Sequence, residues 1–107
     1  MWKNVANLNE LKEKKMMMIE AQGTSILLTF HKDHVYAMND KCPHMGASLS
    51  KGSFENGIVT CASHRAQIDV TNGELVSNPK ILFIKMPAKN AKTYPVKMEG
   101  DNILIEL

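Results

Sequence analysis

Short apolar runs separated by turn-forming residues run through the chain, and they are strand-sized rather than helix-sized. Met16 to Ala21 and Ser25 to Phe30 flank Gln22-Gly23-Thr24 and predict a hairpin. Val35 to Met38 follows the polar turn His31-Lys32-Asp33-His34. Ile58 to Thr60 and Gln67 to Val70 predict further strands, with Thr71-Asn72-Gly73 as a turn because Asn-Gly tolerates positive φ. Thr93 to Met98 and Ile103 to Leu107, either side of Glu99-Gly100-Asp101-Asn102, predict a last hairpin. Leu8 to Lys15 predicts one helical turn or a charged loop. Pro79 and Pro87 predict an irregular stretch over Ser77 to Lys92, since proline interrupts ladder pairing. The expected fold class is all-β.

Size and charge narrow the picture. The 107 residues predict a single domain over 1–107, large enough to bury about two-thirds of its unfolded surface. A net charge of +2 argues against a general nucleic-acid binder, which needs a strongly basic face. No window approaches the ~20 apolar residues of a membrane span, and the first residues lack the apolar stretch of a signal peptide. The expected location is therefore the cytoplasm, where thiols stay reduced and paired cysteines bind metal more often than each other.

The two cysteines both sit beside histidines. One segment reads Cys42-Pro43-His44-Met45-Gly46-Ala47 and the other Cys61-Ala62-Ser63-His64, with 16 residues between His44 and Cys61. Pro43 stiffens the first loop and Gly46 lets it turn sharply. Two thiolates and two imidazoles suit tetrahedral zinc or a cluster with mixed ligation. Zinc sites of this composition usually keep the cysteines in one half and the histidines in the other. Here each half carries one of each, which favours a two-iron cluster with both cysteines on one iron and both histidines on the other. His31 and His34, on a predicted turn, are expected to be solvated.

The two motifs resemble the Cys-x-His and Cys-x-x-His halves of the Rieske family. The surrounding text is similar as well: Asp40-Lys41 before the first motif, Ser48-Leu49 and Gly52 after it, Gly57-Ile58-Val59-Thr60 before the second, then Thr71-Asn72-Gly73-Glu74 and Tyr94-Pro95-Val96. The likeness is greatest to the soluble Rieske ferredoxins of aromatic-ring dioxygenases. It implies three small antiparallel sheets with a two-loop tip holding a [2Fe-2S] cluster through Cys42, His44, Cys61 and His64. It also implies a shielded cysteine-bound iron and electron passage by way of the two histidines, with Pro43, Gly46 and Pro95 as structural supports.

Departures from the family pattern carry information. Rieske proteins of respiratory and photosynthetic complexes have a further cysteine in each loop; the matching positions here are Ala47 and Ser63, so that disulfide is absent. Their serine and tyrosine donors to the cluster sulfurs correspond to Ala66 and Ile68, which have no side-chain donor. Losing such bonds lowers the potential, predicting roughly −150 mV rather than about +300 mV. Arg65 stands where relatives usually have glycine, and Ala62 where they usually have proline. From Lys80 to Lys97 there are five lysines and no acid, in a stretch longer than in typical relatives. That segment is expected either to form a docking rim for an acidic partner, through Lys80, Lys85 and Lys89, or to tuck its apolar residues into the core.

The functional expectation is a monomeric one-electron carrier between a flavin reductase and a terminal oxygenase or similar acceptor, and not an enzyme in its own right. No nucleophile–base pair, phosphate loop or mononuclear iron triad accompanies the motifs. The alternatives are a zinc-stabilised, non-redox interaction module, and an electron-transfer subunit related to the small subunits of nitrite reductases.

Overall fold

A computed structural model of the protein describes residues 1–41, 48–62, 65–77, 80–81, 84–85 and 91–107. The chain opens with strand β1 (Trp2–Asn7) and helix α1 (Leu8–Lys14), then runs through β2 (Met16–Ala21), β3 (Thr24–His31) and β4 (His34–Asn39). A single 3-10 turn, Leu49–Lys51, leads into β5 (Ser53–Glu55), β6 (Ile58–Thr60), β7 (Gln67–Asp69) and β8 (Leu75–Ser77). Two short strands, β9 (Lys80–Ile81) and β10 (Ile84–Lys85), precede β11 (Thr93–Tyr94), β12 (Val96–Glu99) and β13 (Asn102–Glu106). All pairings are antiparallel, in three sheets of order β1-β13-β12, β11-β4-β3-β2 and β5-β6-β7-β8, with β9 and β10 as a separate two-residue ladder. The all-β expectation is met.

Local chemistry accounts for the hairpins. Gln22 and Gly23, Lys32 and Asp33, and Asn56 and Gly57 form three two-residue turns with positive φ at both positions. That geometry matches the right-handed twist of the flanking strands. Helix α1 forms despite its brevity because both ends are capped. The Asn7 side chain accepts from the Asn9 N–H at 2.8 Å, and the Lys15 N–H donates to the Leu11 carbonyl at 2.7 Å. Its one fully buried residue, Leu11, ties it to the sheets.

The central sheet is covered on both faces, so β3 carries a continuous apolar run instead of alternating with polar residues. Successive side chains of a strand point to opposite faces. Leu27 joins Met38, Leu49, Val59, Cys61, Ile68 and their neighbours in one core. Ile26 and Leu28 join Leu11, Ala37, Ile103 and Ile105 in the other. Each buried leucine, isoleucine, valine or methionine among them contributes about 1.5–3 kcal/mol of hydrophobic stabilisation.

Several expectations are corrected. The strand expected over Thr93 to Met98 is two strands in two sheets: β11 pairs with β4, and β12 pairs with β13. Pro95 lies at the switch; it has no N–H for a ladder, while its carbonyl accepts from the Glu106 N–H at 3.1 Å. Tyr94 packs on the core that does not contain Cys61, with Lys92 over its ring, and Tyr94-Pro95 joins two sheets. The stretch expected to be irregular contains the β9–β10 ladder. Strands β1, β5 and β8 are absent from the expected set, although Asn56-Gly57 is a readable hairpin signal. His31 is half-buried, edge-on to Phe54 and against Gly57, while His34 is exposed as expected.

Candidate metal centre

The first motif follows β4 of the β11-β4-β3-β2 sheet, and the second lies between β6 and β7 of the β5-β6-β7-β8 sheet. Of the four candidate ligands, only Cys61 falls among the described residues; Cys42, His44 and His64 lie outside them, as do Pro43, Gly46, Ala47 and Ser63. Lys89 is likewise outside, and nothing is described of the side chains of Lys80 and Lys85.

The second loop is built from the β6–β7 ladder. That ladder continues one step past Thr60, with the Cys61 N–H donating to the Ala66 carbonyl at 2.8 Å. Inside this closure the Arg65 N–H donates to the Cys61 carbonyl at 2.9 Å. The loop is therefore held by two backbone bonds that share Cys61. Arg65 reaches the second of them with φ +58°, in the left-handed region that favours glycine. The Cys61 side chain is fully buried among Leu49, Val59, Ala66 and Ile68. Ala66 and Ile68, noted in the sequence for lacking donors, are themselves fully buried in this apolar shell.

The first loop is closed at its base from both sides. Lys41 and Ser48 form an isolated antiparallel bridge, so the chain leaves and returns at one point. Beneath it lies Asp40, a carboxylate only 3% exposed. It accepts from the Ser48 hydroxyl, from the Ser50 N–H at 2.8 Å and from the Ser50 hydroxyl at 3.4 Å. Its own backbone donates to Ser25 at 3.0 Å and accepts from Leu49 at 2.6 Å. A buried carboxylate persists only when its acceptors are satisfied in this way. The sequence reading gave Asp40 no role, because an aspartate next to a motif looks the same whether it is buried or solvated.

Gly52 brings the two loop bases together. A Cβ on it would stand 1.9 Å from the Thr60 carbonyl oxygen and 3.2 Å from the Ala62 nitrogen, so no other residue fits. The 3-10 turn that follows the first loop is thereby pressed against the start of the second, and Leu49 and Cys61 share one core.

Residues 1–102 match the family model of the Rieske [2Fe-2S] domain. The chain belongs to that family. A Rieske domain binds a [2Fe-2S] cluster, and the described part of this one suits it. A thiol shielded from water on a loop base held by backbone bonds would be a fitting ligand for one of its irons, and the glycine notch lets the two loop bases meet. Over 106 residues the chain is 29% identical to the ferredoxin component of a naphthalene 1,2-dioxygenase system from Pseudomonas aeruginosa, covering 99% of this chain and 95% of that one. It is 27% identical over 103 residues to the ferredoxin component of biphenyl 2,3-dioxygenase from Rhodococcus jostii, covering 96% and 90%. Its structure is similar to the ferredoxin of carbazole 1,9a-dioxygenase from Nocardioides aromaticivorans, with a TM-score of 0.77, 26% identity, and coverage of 97% and 95%. These Rieske relatives are electron-transfer components, not catalytic subunits, and the electron-carrier reading of the sequence stands with them. No helix among the described residues is long and apolar enough to cross a membrane.

Proposed function

We propose that this chain is a cytoplasmic, monomeric Rieske ferredoxin that carries one electron at a time from a flavin reductase to a terminal oxygenase. In this reading Cys42, His44, Cys61 and His64 hold the cluster. The observation that carries it is the position of Cys61: fully buried at a backbone-closed loop base that touches the base of the other motif loop. The relatives of matching length are ferredoxin components of dioxygenase systems, which supports an oxygenase as the acceptor.

When bound, the cluster supplies one reversibly transferable electron. The protein's residues do the rest. Leu49, Val59, Ala66 and Ile68 keep water from the Cys61 sulfur. The Asp40 clamp and the Cys61–Ala66 closure hold the two loop bases in fixed relation, limiting the rearrangement that accompanies each electron. An apolar shell without side-chain donors at positions 66 and 68 disfavours added negative charge, so the expected potential is at the low end of the Rieske range, roughly −150 mV.

The test is analysis of anaerobically purified protein for iron and acid-labile sulfide, with electron paramagnetic resonance after dithionite reduction. Two irons and two sulfides per chain, lost in the Cys42→Ser and Cys61→Ser variants, support the reading. Bound zinc with no labile sulfide refutes it.

A further inference from the structure

The second loop holds a feature that closing the loop does not require. Lys15, Gln22, Lys32, Asp33 and Asn56, the other described non-glycine residues with positive φ, end helix α1 or form two-residue hairpin turns. Arg65, at φ +58°, does neither. Glycine would hold the same Cys61–Arg65 backbone bond without the steric penalty of a Cβ. Strain kept beside a functional loop points to a use for the side chain.

The surroundings show what that use is. Arg65 is exposed and lines a surface depression of about 460 Å³ with Lys51, Gly52, Ser53, Thr60, Cys61 and Ala62. The described lining carries two cations and no carboxylate. Neither Lys51 nor Arg65 has an ion-pair partner among the described residues, whereas Lys14 and Lys97 do. Both loop bases contribute to it, Lys51 from the turn after the first motif and Arg65 from within the second loop. Hydroxyl-bearing Ser53 and Thr60 also belong to the lining.

We propose that this depression is the docking site for a carboxylate on the acidic surface of a redox-partner protein. The inference rests on the reading of the chain as an electron carrier and names the chemistry of the surface that reading requires. Two cations without an ion-pair partner among the described residues, beside the hydroxyls of Ser53 and Thr60, complement an aspartate or glutamate side chain, and the contact seats the partner against the loop that carries Cys61. Such complementarity acts mainly on association rate and orientation. It also matches the transient encounter a shuttle needs.

The experiment uses holoprotein at low salt, where the Debye length is about 30 Å, and poly-L-glutamate as the probe of an acidic protein surface. Binding to wild type is compared with binding to the pair K51E and R65E, and to a control pair of equal charge change, K3E and K32E. The expected result is a fall of about tenfold for the first pair and about threefold or less for the control. Equal losses in the two pairs, or no binding by wild type, overturn the proposal. The milder pair K51Q and R65Q serves if the double reversal fails to fold, with the same contrast required. A second readout is oxidation of the reduced protein by ferricyanide and by hexaammineruthenium(III). Charge reversal at 51 and 65 slows the anionic oxidant and speeds the cationic one; a parallel change in both rates counts against a docking role. Protein lacking iron and labile sulfide overturns the electron-carrier reading alone, while the binding contrast still decides the surface.

Discussion

Asp40 offers the sharpest test of how the first loop is held. In Asp40→Ala the Ser50 N–H and the Ser48 hydroxyl both lose their acceptor in a partly buried setting. Hydrogen bonds to a charged group contribute about 1.5–3 kcal/mol each. The expected loss is therefore ~3–6 kcal/mol, a large share of the ~5–15 kcal/mol that holds a small domain. Asp40→Asn keeps an oxygen for the Ser50 N–H, and the Ser48 hydroxyl can rotate to accept from the new amide, so its loss is ~1–2 kcal/mol. Urea unfolding of the cluster-loaded variants, followed by far-ultraviolet circular dichroism and by visible absorbance, separates fold from cluster. The absorbance of the alanine variant fades before its circular dichroism, because the lost bonds close residues 42–47 while the strands keep their ladders. A loss below ~1 kcal/mol for alanine, or asparagine as damaging as alanine, refutes the reasoning.

Other outcomes follow from single residues. Arg65→Gly removes the left-handed strain at φ +58°, worth about 1–2 kcal/mol, against ~0.5–1 kcal/mol of added backbone entropy in the unfolded chain. The net is a stability gain of up to ~1.5 kcal/mol in thermal melts, and a decrease would show the side chain to be structural. Thr29 Oγ1 is buried with no partner among the described residues, so Thr29→Val stabilises by about 1 kcal/mol in denaturant titrations; a loss of that size would mean the hydroxyl is bonded. Asp69, half-buried on β7, is held below the usual carboxylate range first by the Thr71 hydroxyl and then by the Thr71 N–H, with a smaller contribution from His31 and with burial opposing. A carboxylate with a lowered folded pKa stabilises above its ordinary value and loses that contribution as pH falls through the folded one. Wild type therefore exceeds Asp69→Asn by well under 1 kcal/mol at pH 7, given the exposure, and the gap closes below about pH 4. A gap that widens in acid contradicts that sign.

Much of this protein is legible from residues near one another in the chain. The turns at Gln22-Gly23 and Lys32-Asp33 follow from residues that accept positive φ between apolar runs. Asn56-Gly57 carries the same signal and could have been read in the same way. The donor set is local too, since Cys42 with His44 and Cys61 with His64 are separated by one and two residues. The chemistry of thiolates and imidazoles narrows their ligand before any fold is known.

Tertiary structure alone decided the rest, because burial and sheet membership depend on which distant segment comes to lie alongside. Trp2–Asn7 is a strand by virtue of its pairing with β13, at the other end of the chain. Thr93–Tyr94 and Val96–Glu99 read as one strand until two different sheets claim them on either side of Pro95. Asp40 is an ordinary polar residue in the sequence and a buried clamp only once Ser48 and Ser50 fold back over it. Arg65 likewise shows its left-handed backbone, and its company with Lys51, only where the two loop bases meet. Short-range preferences act through bonds that exist in the unfolded chain, whereas these contacts exist only after the strands have chosen their partners.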